Sequence, residues 1–248
     1  MKTAVVILNW NGLQHLQHYL PRVVATTSGA DVIVADNGST DDSVAWLRES
    51  MPAVQLVLLD KNYGFAEGYN RALAQLEGYD TFVLLNSDIE PTEGWLAPLV
   101  EQLEQNEDIA VVVPKILDDK CRSKFEYAGA SGGFIDVFGY PFCRGRILSA
   151  IEEDNGQYDT PRDVMWGSGA AFCCRAEVYR ELGGLAKEVN AAYMKALPWL
   201  ERAMELKPES VDCAEYLKGL CFRLRNEEGV MDKYNKYNAL YKKLKGIQ

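Results

Sequence analysis

The sequence has no long apolar run, no C-x-x-C pair and only two histidines. The longest apolar stretch near its amino terminus, Ala4–Leu8, is too short to span a bilayer or to form the core of a signal peptide. Its six cysteines include no C-x-x-C pair, which argues against a zinc site and against a disulfide framework. We therefore expect a cytoplasmic protein with reduced thiols and no membrane span. A peripheral position at the inner membrane face is the alternative.

Positive charge is scarce over most of the chain. Residues 1–185 carry 14 Lys and Arg against 27 Asp and Glu, whereas residues 186–248 carry 12 against 9. An acidic main body argues against nucleic acid as a partner. The change of sign predicts a domain boundary near residue 186, and 248 residues suffice for one large domain and a small one.

Apolar runs typical of buried strands recur through the first half of the chain. Helix-length segments with apolar residues at three- and four-residue spacing separate most of these runs, which predicts an α/β fold with a doubly wound, mostly parallel sheet. Residues 118–163 break the alternation and predict irregular loops with short β structure, and residues 186–248 predict only helices. The predicted strands are Ala4–Leu8, Asp31–Ala35, Val54–Leu59, Thr81–Leu85, Ile109–Val113 and Val164–Arg175; the predicted tail helices are Ala191–Lys207, Val211–Arg225 and Val230–Lys245.

Polar residues follow each of the first four predicted strands, as Asn9–Gly12, Asp36–Asp42, Asp60–Asn70 and Asn86–Asp88. Such residues are also typical of turns and helix caps, and any one cluster alone is explained in that way. Because the carboxyl ends of parallel strands meet at one sheet edge, the four clusters together favour a ligand pocket there. With few cationic groups nearby, a diphosphate in this pocket needs a divalent metal, for which Asp88 is the candidate ligand.

Four segments resemble glycosyltransferase family 2, in its rhamnosyltransferase-like branch of bacterial polysaccharide synthesis. They are Val5–Gly12, Val34–Asp41, Asn62–Asn70 and Leu84–Pro91, and the resemblance continues through Met165–Phe172 and Leu182–Leu185. It covers about residues 1–185. It implies a GT-A fold and an inverting transfer of a sugar from a nucleoside-diphosphate sugar to a hydroxyl of a glycan or lipid-linked acceptor.

The resemblance also implies roles for residues at matching positions. Asp36 would accept a hydrogen bond from the nucleotide base, and Trp166 and Gly167 would shape the donor-sugar and acceptor side. Asp88 would bind Mg²⁺ or Mn²⁺ bridging the diphosphate, and Asn86 stands where the family's D-x-D-like motif has its first carboxylate. The remaining residues assigned to nucleotide-sugar binding are Asn9, Trp10, Ser39, Asn62, Gly64 and Asn70.

The resemblance ends after Leu185, where the family continues with a Glu-Asp pair that supplies the base for the acceptor hydroxyl. No such pair follows here; Glu188 is the nearest carboxylate, and the general base is unknown. A positioned general base is worth about 10²–10⁴-fold in rate. The alternative function is therefore a catalytically weak nucleotide-sugar-binding protein.

Residues 186–248 resemble a tetratricopeptide repeat, in which Ala196, Leu200, Ala203 and Pro208 match the spacing of a repeat's second helix. Any amphipathic helical hairpin can imitate part of this pattern. The resemblance implies a tail that docks a protein partner. A third hypothesis treats this tail as the functional part, an interaction scaffold on an inert α/β body.

Overall fold

The computed structural model of the protein describes residues 1–126, 130–135, 141–147, 150–185, 197–198, 200–224 and 229–246. The chain forms two compact units, Met1–Gly184 and Leu185–Gln248. Each unit has a hydrophobic core of its own.

A six-stranded sheet forms the centre of the first unit, with strands β1 (Thr3–Asn9), β2 (Ala30–Asp36), β3 (Gln55–Leu58), β4 (Thr81–Leu85), β5 (Val111–Val112) and β10 (Ala171–Arg175). Their order across the sheet is β3-β2-β1-β4-β10-β5. The pairs β3–β2, β2–β1 and β1–β4 are parallel, whereas β10 runs antiparallel to both β4 and β5. The predicted α/β fold with a mostly parallel sheet is confirmed.

Helices cover both faces of this sheet, namely α1 (Leu13–Thr26), α2 (Ser43–Ser50), α3 (Phe65–Leu73), α4 (Leu96–Gln105) and α5 (Ala176–Glu181). Helices α1, α2 and α4 bury leucines in one core cluster with Val5, Ile7 and Val83. Because successive strand side chains point to opposite faces, Phe82 lies on the other face of β4. There its ring packs edge to face on Tyr179 of α5, with 6.0 Å between ring centroids.

Three strands are shorter than the sequence predicts, and for Val54–Leu59 the difference is one residue at each end. Of Ile109–Val113 only Val111–Val112 pairs, and it pairs with β10 alone. Since β5 lies at the sheet edge, where Val111 is 41% exposed, a longer strand would bury little additional apolar surface. The predicted strand Val164–Arg175 begins only at Ala171, after the Gly-Ser-Gly segment that interrupts its apolar run.

A second, antiparallel sheet of four short strands lies within the region predicted as loops and short β structure. Its strands are β6 (Gly133–Ile135), β7 (Pro141–Cys143), β8 (Arg146–Ile147) and β9 (Ala150–Ile151). The segment that follows is tied to the chain after β5, because Lys115 Nζ lies 2.5 Å from carboxylate oxygens of both Asp154 and Asp159.

The described part of the second unit is helical, with α6 (Val211–Arg223), α7 (Val230–Lys245) and helical residues 197–198 and 200–206. The bounds of α7 agree with the predicted helix. Helix α6 ends at Arg223, with Leu224 as its carboxyl-terminal cap, so the predicted helix Val211–Arg225 was too long. The first six residues of the predicted helix Ala191–Lys207 fall outside the described residues.

The core of the second unit lies between α6 and α7, where Leu217, Cys221 and Tyr237 are buried. Glu201 lies at its edge and accepts hydrogen bonds from Lys233 Nζ at 2.8 Å and from the Tyr237 hydroxyl at 2.9 Å. Across the described parts of both units, no helix is long and apolar enough to cross a membrane.

Candidate active site at the carboxyl ends of the strands

The site lies where the order of the parallel strands reverses. Strand β1 pairs with β2 on one side and with β4 on the other, so the carboxyl ends of all three strands are neighbours. In the register of these pairs, Asn9 lies opposite Asp36 and Ile7 lies opposite Leu85. Ligands of open α/β sheets bind in the crevice at such a reversal. The residues that follow β1, β2 and β4 therefore form the candidate site.

A polar group with two buried members, Asn9 and Asp36, and the half-buried Ser39 joins the ends of β1 and β2. Asn9 Nδ2 donates to Asp36 Oδ2 at 3.0 Å and to Ser39 Oγ at 3.1 Å, and the Ser39 amide donates to Asp36 Oδ1 at 2.9 Å. Asn9 is 1% exposed and Asp36 3% exposed. The sequence placed these three residues at one site, and the structure brings them into direct contact. Trp10, which follows Asn9 in sequence, is 56% exposed.

The turn after β1 is held by Asn11 and Asp41, which were not among the predicted site residues. Asn11, at φ 50°, accepts from the amide of Thr40 at 2.7 Å and donates its own amide to Ser39 Oγ at 2.9 Å. Partial burial raises the pKa of Asp41, but hydrogen bonds from Ser43 and from the amide of residue 13 outweigh burial, so its pKa lies below the ordinary value. The only signal of these roles was their place within the strand-end clusters.

Asn37 organises the next part of the site, although it was not among the predicted site residues. Its Nδ2 donates to Asn62 Oδ1 and to the Gly64 carbonyl, each at 3.0 Å, and its Oδ1 accepts from the Tyr63 amide at 3.0 Å. Asn62 Oδ1 also accepts from the Gly64 amide at 2.7 Å. Gly64 caps the amino terminus of α3 and has φ 76°. Residues with a Cβ disfavour this backbone conformation. The predicted residues Asn62 and Gly64 are thus connected to Asp36 through its neighbour.

Gly38 allows the turn after β2 to approach the backbone of the loop after β3. It has φ 73°, and a Cβ built on it would lie 2.5 Å from the Lys61 backbone. Gly29 has nearly the same φ, 75°, with open space around it. We expect Gly38→Ala to lower the free energy of unfolding by at least about 2 kcal/mol more than Gly29→Ala, because only the first adds a backbone clash to the strain.

Urea denaturation of both variants measures this difference. Equal losses would show that the Lys61 backbone shifts easily and that the turn after β2 is not tightly held.

Asp88 lies three residues beyond β4 and its side chain is exposed. Within the described residues no hydrogen bond or ion pair engages its carboxylate, and no three His, Cys, Asp or Glu side chains are grouped as a metal site. Partial burial raises the pKa of Tyr19, and the nearby carboxylates of Asp119, Asp88 and Glu90 raise it further. The end of β4 is therefore strongly acidic.

Arg122 compensates part of that acidic charge. Its Nη2 lies 3.1 Å from Glu90 Oε2 and 3.3 Å from Asp119 Oδ1. The hydrogen bond from Arg122 to Glu90 raises the pKa of the guanidinium. Glu90 and Asp119 are thus engaged by Arg122, whereas no described protein group engages the Asp88 carboxylate.

The other predicted site residues that the structure describes contact protein groups outside the Asn9–Asp36–Ser39 group. Asn70 Oδ1 accepts from the Tyr179 hydroxyl at 2.6 Å. The backbone amide of Asn86 donates to the Ala170 carbonyl at 2.9 Å. Trp166 Nε1 donates to the carbonyl of residue 134 at 3.1 Å, which ties the segment before β10 to the second sheet. Gly167 leaves room for Val113, whose Cγ1 would lie 2.5 Å from a Cβ at that position. Glu188 lies outside the described residues.

Curated relatives match up to 73% of the chain. N-acetylglucosaminyl-diphospho-decaprenol L-rhamnosyltransferase of Mycobacterium tuberculosis is 25% identical over 196 residues, which cover 73% of this chain and 63% of the relative. Undecaprenyl-phosphate 4-deoxy-4-formamido-L-arabinose transferase of Sodalis glossinidius is 29% identical over 120 residues, or 45% of this chain and 36% of the relative. The chain thus spans less than two thirds of the length of these relatives.

Solved structures share the fold. The mannosyltransferase PcManGT of Pyrobaculum calidifontis, in complex with GDP-Man and Mn²⁺, has a TM-score of 0.50 at 17% identity, over 74% of this chain and 47% of that one. GalNAc-T7 with UDP, GalNAc and Mn²⁺ has a TM-score of 0.53 at 16% identity, over 74% of this chain and 37% of that one. At these identities the likeness establishes the fold alone, and it agrees with the predicted GT-A fold. The sequence model of glycosyl transferase family 2 matches residues 4–182, and the chain belongs to that family.

Proposed function

We propose that the protein transfers a sugar, with inversion, from a nucleoside-diphosphate sugar to a hydroxyl acceptor in polysaccharide or cell-surface glycan synthesis. The observation that carries the proposal is the group of buried Asn9 and Asp36 with half-buried Ser39, at strand ends neighbouring the one that leads to Asp88, whose exposed carboxylate no described protein group engages. A ligand that spans the two needs hydrogen-bond donors at one end and a metal-binding anion at the other. A nucleoside diphosphate has both.

Asp36 recognises the nucleotide base in this proposal. A carboxylate has about four acceptor positions, and the protein fills two of them, through Asn9 Nδ2 and the Ser39 amide. The remaining positions are available to a base N–H. The exposed ring of Trp10 offers the base a stacking surface, while Asn62 and Gly64 lie along the nucleoside and the diphosphate. Asn70, Asn86, Trp166 and Gly167 complete the donor side.

Asp88 is the proposed metal ligand. Magnesium in nucleotide sites is commonly held by one or two carboxylates together with substrate phosphates and water, and a single exposed carboxylate fits that pattern. Bound Mg²⁺ or Mn²⁺ would neutralise charge on the leaving diphosphate. Two neighbours in fold contain Mn²⁺, but for this chain the metal rests on Asp88 and on the scarcity of cations in residues 1–185.

A lipid-linked glycan is the proposed acceptor. The names of the curated relatives describe transfer to decaprenyl- and undecaprenyl-linked molecules. A cytoplasmic protein that associates with the inner membrane face would reach such an acceptor. For this chain, acceptor and location are proposals, because it spans less than two thirds of those relatives.

Calorimetric titration with UDP-, dTDP- and GDP-sugars in the presence of Mn²⁺ tests the proposed function. We expect one of the three nucleotides to bind, with an affinity that falls when the metal is removed by chelation. Failure of all three to bind would refute the proposal. Binding without any metal dependence would support the nucleotide site but contradict the role of Asp88 as a metal ligand.

The general base remains unassigned, which motivates the alternative of a catalytically weak nucleotide-sugar binder. The family's acidic pair is absent after Leu185, and its loss would cost about 10²–10⁴-fold in rate. Under this alternative residues 186–248, with their tetratricopeptide-like spacing, dock a protein partner. Robust multiple-turnover transfer to a defined acceptor would count against it.

A further inference from the structure

The hydroxyl of Tyr69 lies between the ends of β1 and β4. Tyr69 belongs to α3 and is completely buried. Its Oη accepts a hydrogen bond from the Leu8 amide at 3.4 Å and donates to the Leu85 carbonyl at 3.1 Å. One side-chain atom therefore connects two strands directly beneath the candidate site.

This connection occurs where the two strands separate. The pairing of β1 with β4 ends at Ile7 and Leu85, whereas β1 continues to pair with β2 as far as Asn9 and Asp36. Beyond Leu85, the chain leads to Asp88 on one side of the crevice, while Asn9 lies on the other. The Tyr69 hydroxyl thus lies at the point from which the two halves of the site diverge.

Tight packing keeps Tyr69 in this place. A Cβ on the preceding residue, Gly68, would lie 2.9 Å from Asn37 Nδ2 and 3.0 Å from a Leu8 methyl carbon, so α3 rests directly on the strand ends. The ring of Phe65 contacts the Tyr69 ring edge to face, with 5.0 Å between centroids. The hydroxyl is therefore held with little freedom against both strands.

We propose that Tyr69 is a positioning residue that sets the separation between the Asn9–Asp36–Ser39 group and Asp88. This inference rests on the proposed function, in which one nucleoside diphosphate contacts both at once. A nucleoside monophosphate that contacts the base-binding half alone does not depend on the separation. Loss of the hydroxyl should therefore weaken the binding of diphosphates selectively.

Titration of Tyr69→Phe with UDP, dTDP and GDP, and with their monophosphates, each with and without Mn²⁺, tests the proposal. We expect about a tenfold loss of affinity for the diphosphate that binds the unaltered protein with Mn²⁺, the size of one to two lost buried hydrogen bonds. For the monophosphate the loss should stay below about twofold. The matched control is Tyr79→Phe, which removes a hydroxyl that donates to Asp31 at 2.7 Å, far along β2 from the site.

Gly68→Ala provides a second variant, because it keeps the hydroxyl but moves α3 away from the strands. The same selective loss in this variant supports the proposal even if Tyr69→Phe fails to fold. Equal losses for diphosphate and monophosphate, or none, would overturn the role of Tyr69 while leaving the proposed function intact. Failure of the unaltered protein to bind any diphosphate would overturn both.

Discussion

Asp88→Ala is expected to abolish the metal-dependent part of nucleoside-diphosphate binding. In the unaltered protein this carboxylate is exposed and engaged by no described protein group. Metal coordination of a phosphoryl oxygen is worth several kcal/mol, so we expect the affinity measured with Mn²⁺ to fall at least about a hundredfold. The affinity measured with chelator should hardly change.

Asp108→Ala is the matched control for this substitution. It removes an exposed carboxylate from the turn after α4, away from the strand ends of the site, and changes the net charge by the same amount. Nucleotide binding should be unaffected in this variant, which separates metal coordination from general electrostatics. If Asp88→Ala and Asp108→Ala gave the same affinities, Asp88 would not be a metal ligand.

Asp36→Asn is expected to weaken nucleotide binding with and without metal, unlike Asp88→Ala. An amide at this position would turn a donor towards Asn9 Nδ2 or towards the Ser39 amide, so at least one buried hydrogen bond is lost. We expect a roughly 10- to 100-fold loss of affinity for nucleoside diphosphate and monophosphate alike. The free energy of unfolding should fall by about 1–3 kcal/mol, because a buried donor is left without an acceptor.

Asp31→Asn provides the comparison within the same strand. Asp31 lies at the opposite end of β2 and accepts from the Tyr79 hydroxyl at 2.7 Å. This variant can lose stability but should bind nucleotide normally in calorimetry. Unchanged binding in Asp36→Asn, or an equal loss in Asp31→Asn, would contradict the role of Asp36 at the base.

Much of the fold was predictable because its signals are local. The run Thr81–Leu85 is apolar after its first residue and its bounds as a strand agree with the structure, since a strand buried on both faces is a nearly continuous apolar run. The helix Val230–Lys245 agrees as well, because glycine stands immediately before and after it. The edge strand β5 was predicted too long, since its length depends on a partner far away in sequence.

Many residues of the candidate site were predictable from the sequence, but the hydrogen bonds that link them were not. The strand-end pattern identified Asp36 and Asp88 because each follows an apolar run. It did not identify Asn37, whose side chain links Asn62 to Gly64, because an Asn before Gly is also typical of an ordinary turn. Nor did it identify Tyr69, which reads from sequence as one more apolar residue of a helix.

The sequence by itself determined the family of this protein, the alternation of strands and helices, and the place of the polar clusters at the strand ends. Those properties follow from the periodicity and order of residues along the chain. Only the tertiary structure decided which residues meet. The contact of Asn9 with Asp36 and the place of the Tyr69 hydroxyl between β1 and β4 depend on strand order and register. Asn9 and Asp36 are 27 residues apart in sequence, and Tyr69 and Leu85 are 16 residues apart. No local sequence pattern encodes contacts over such separations.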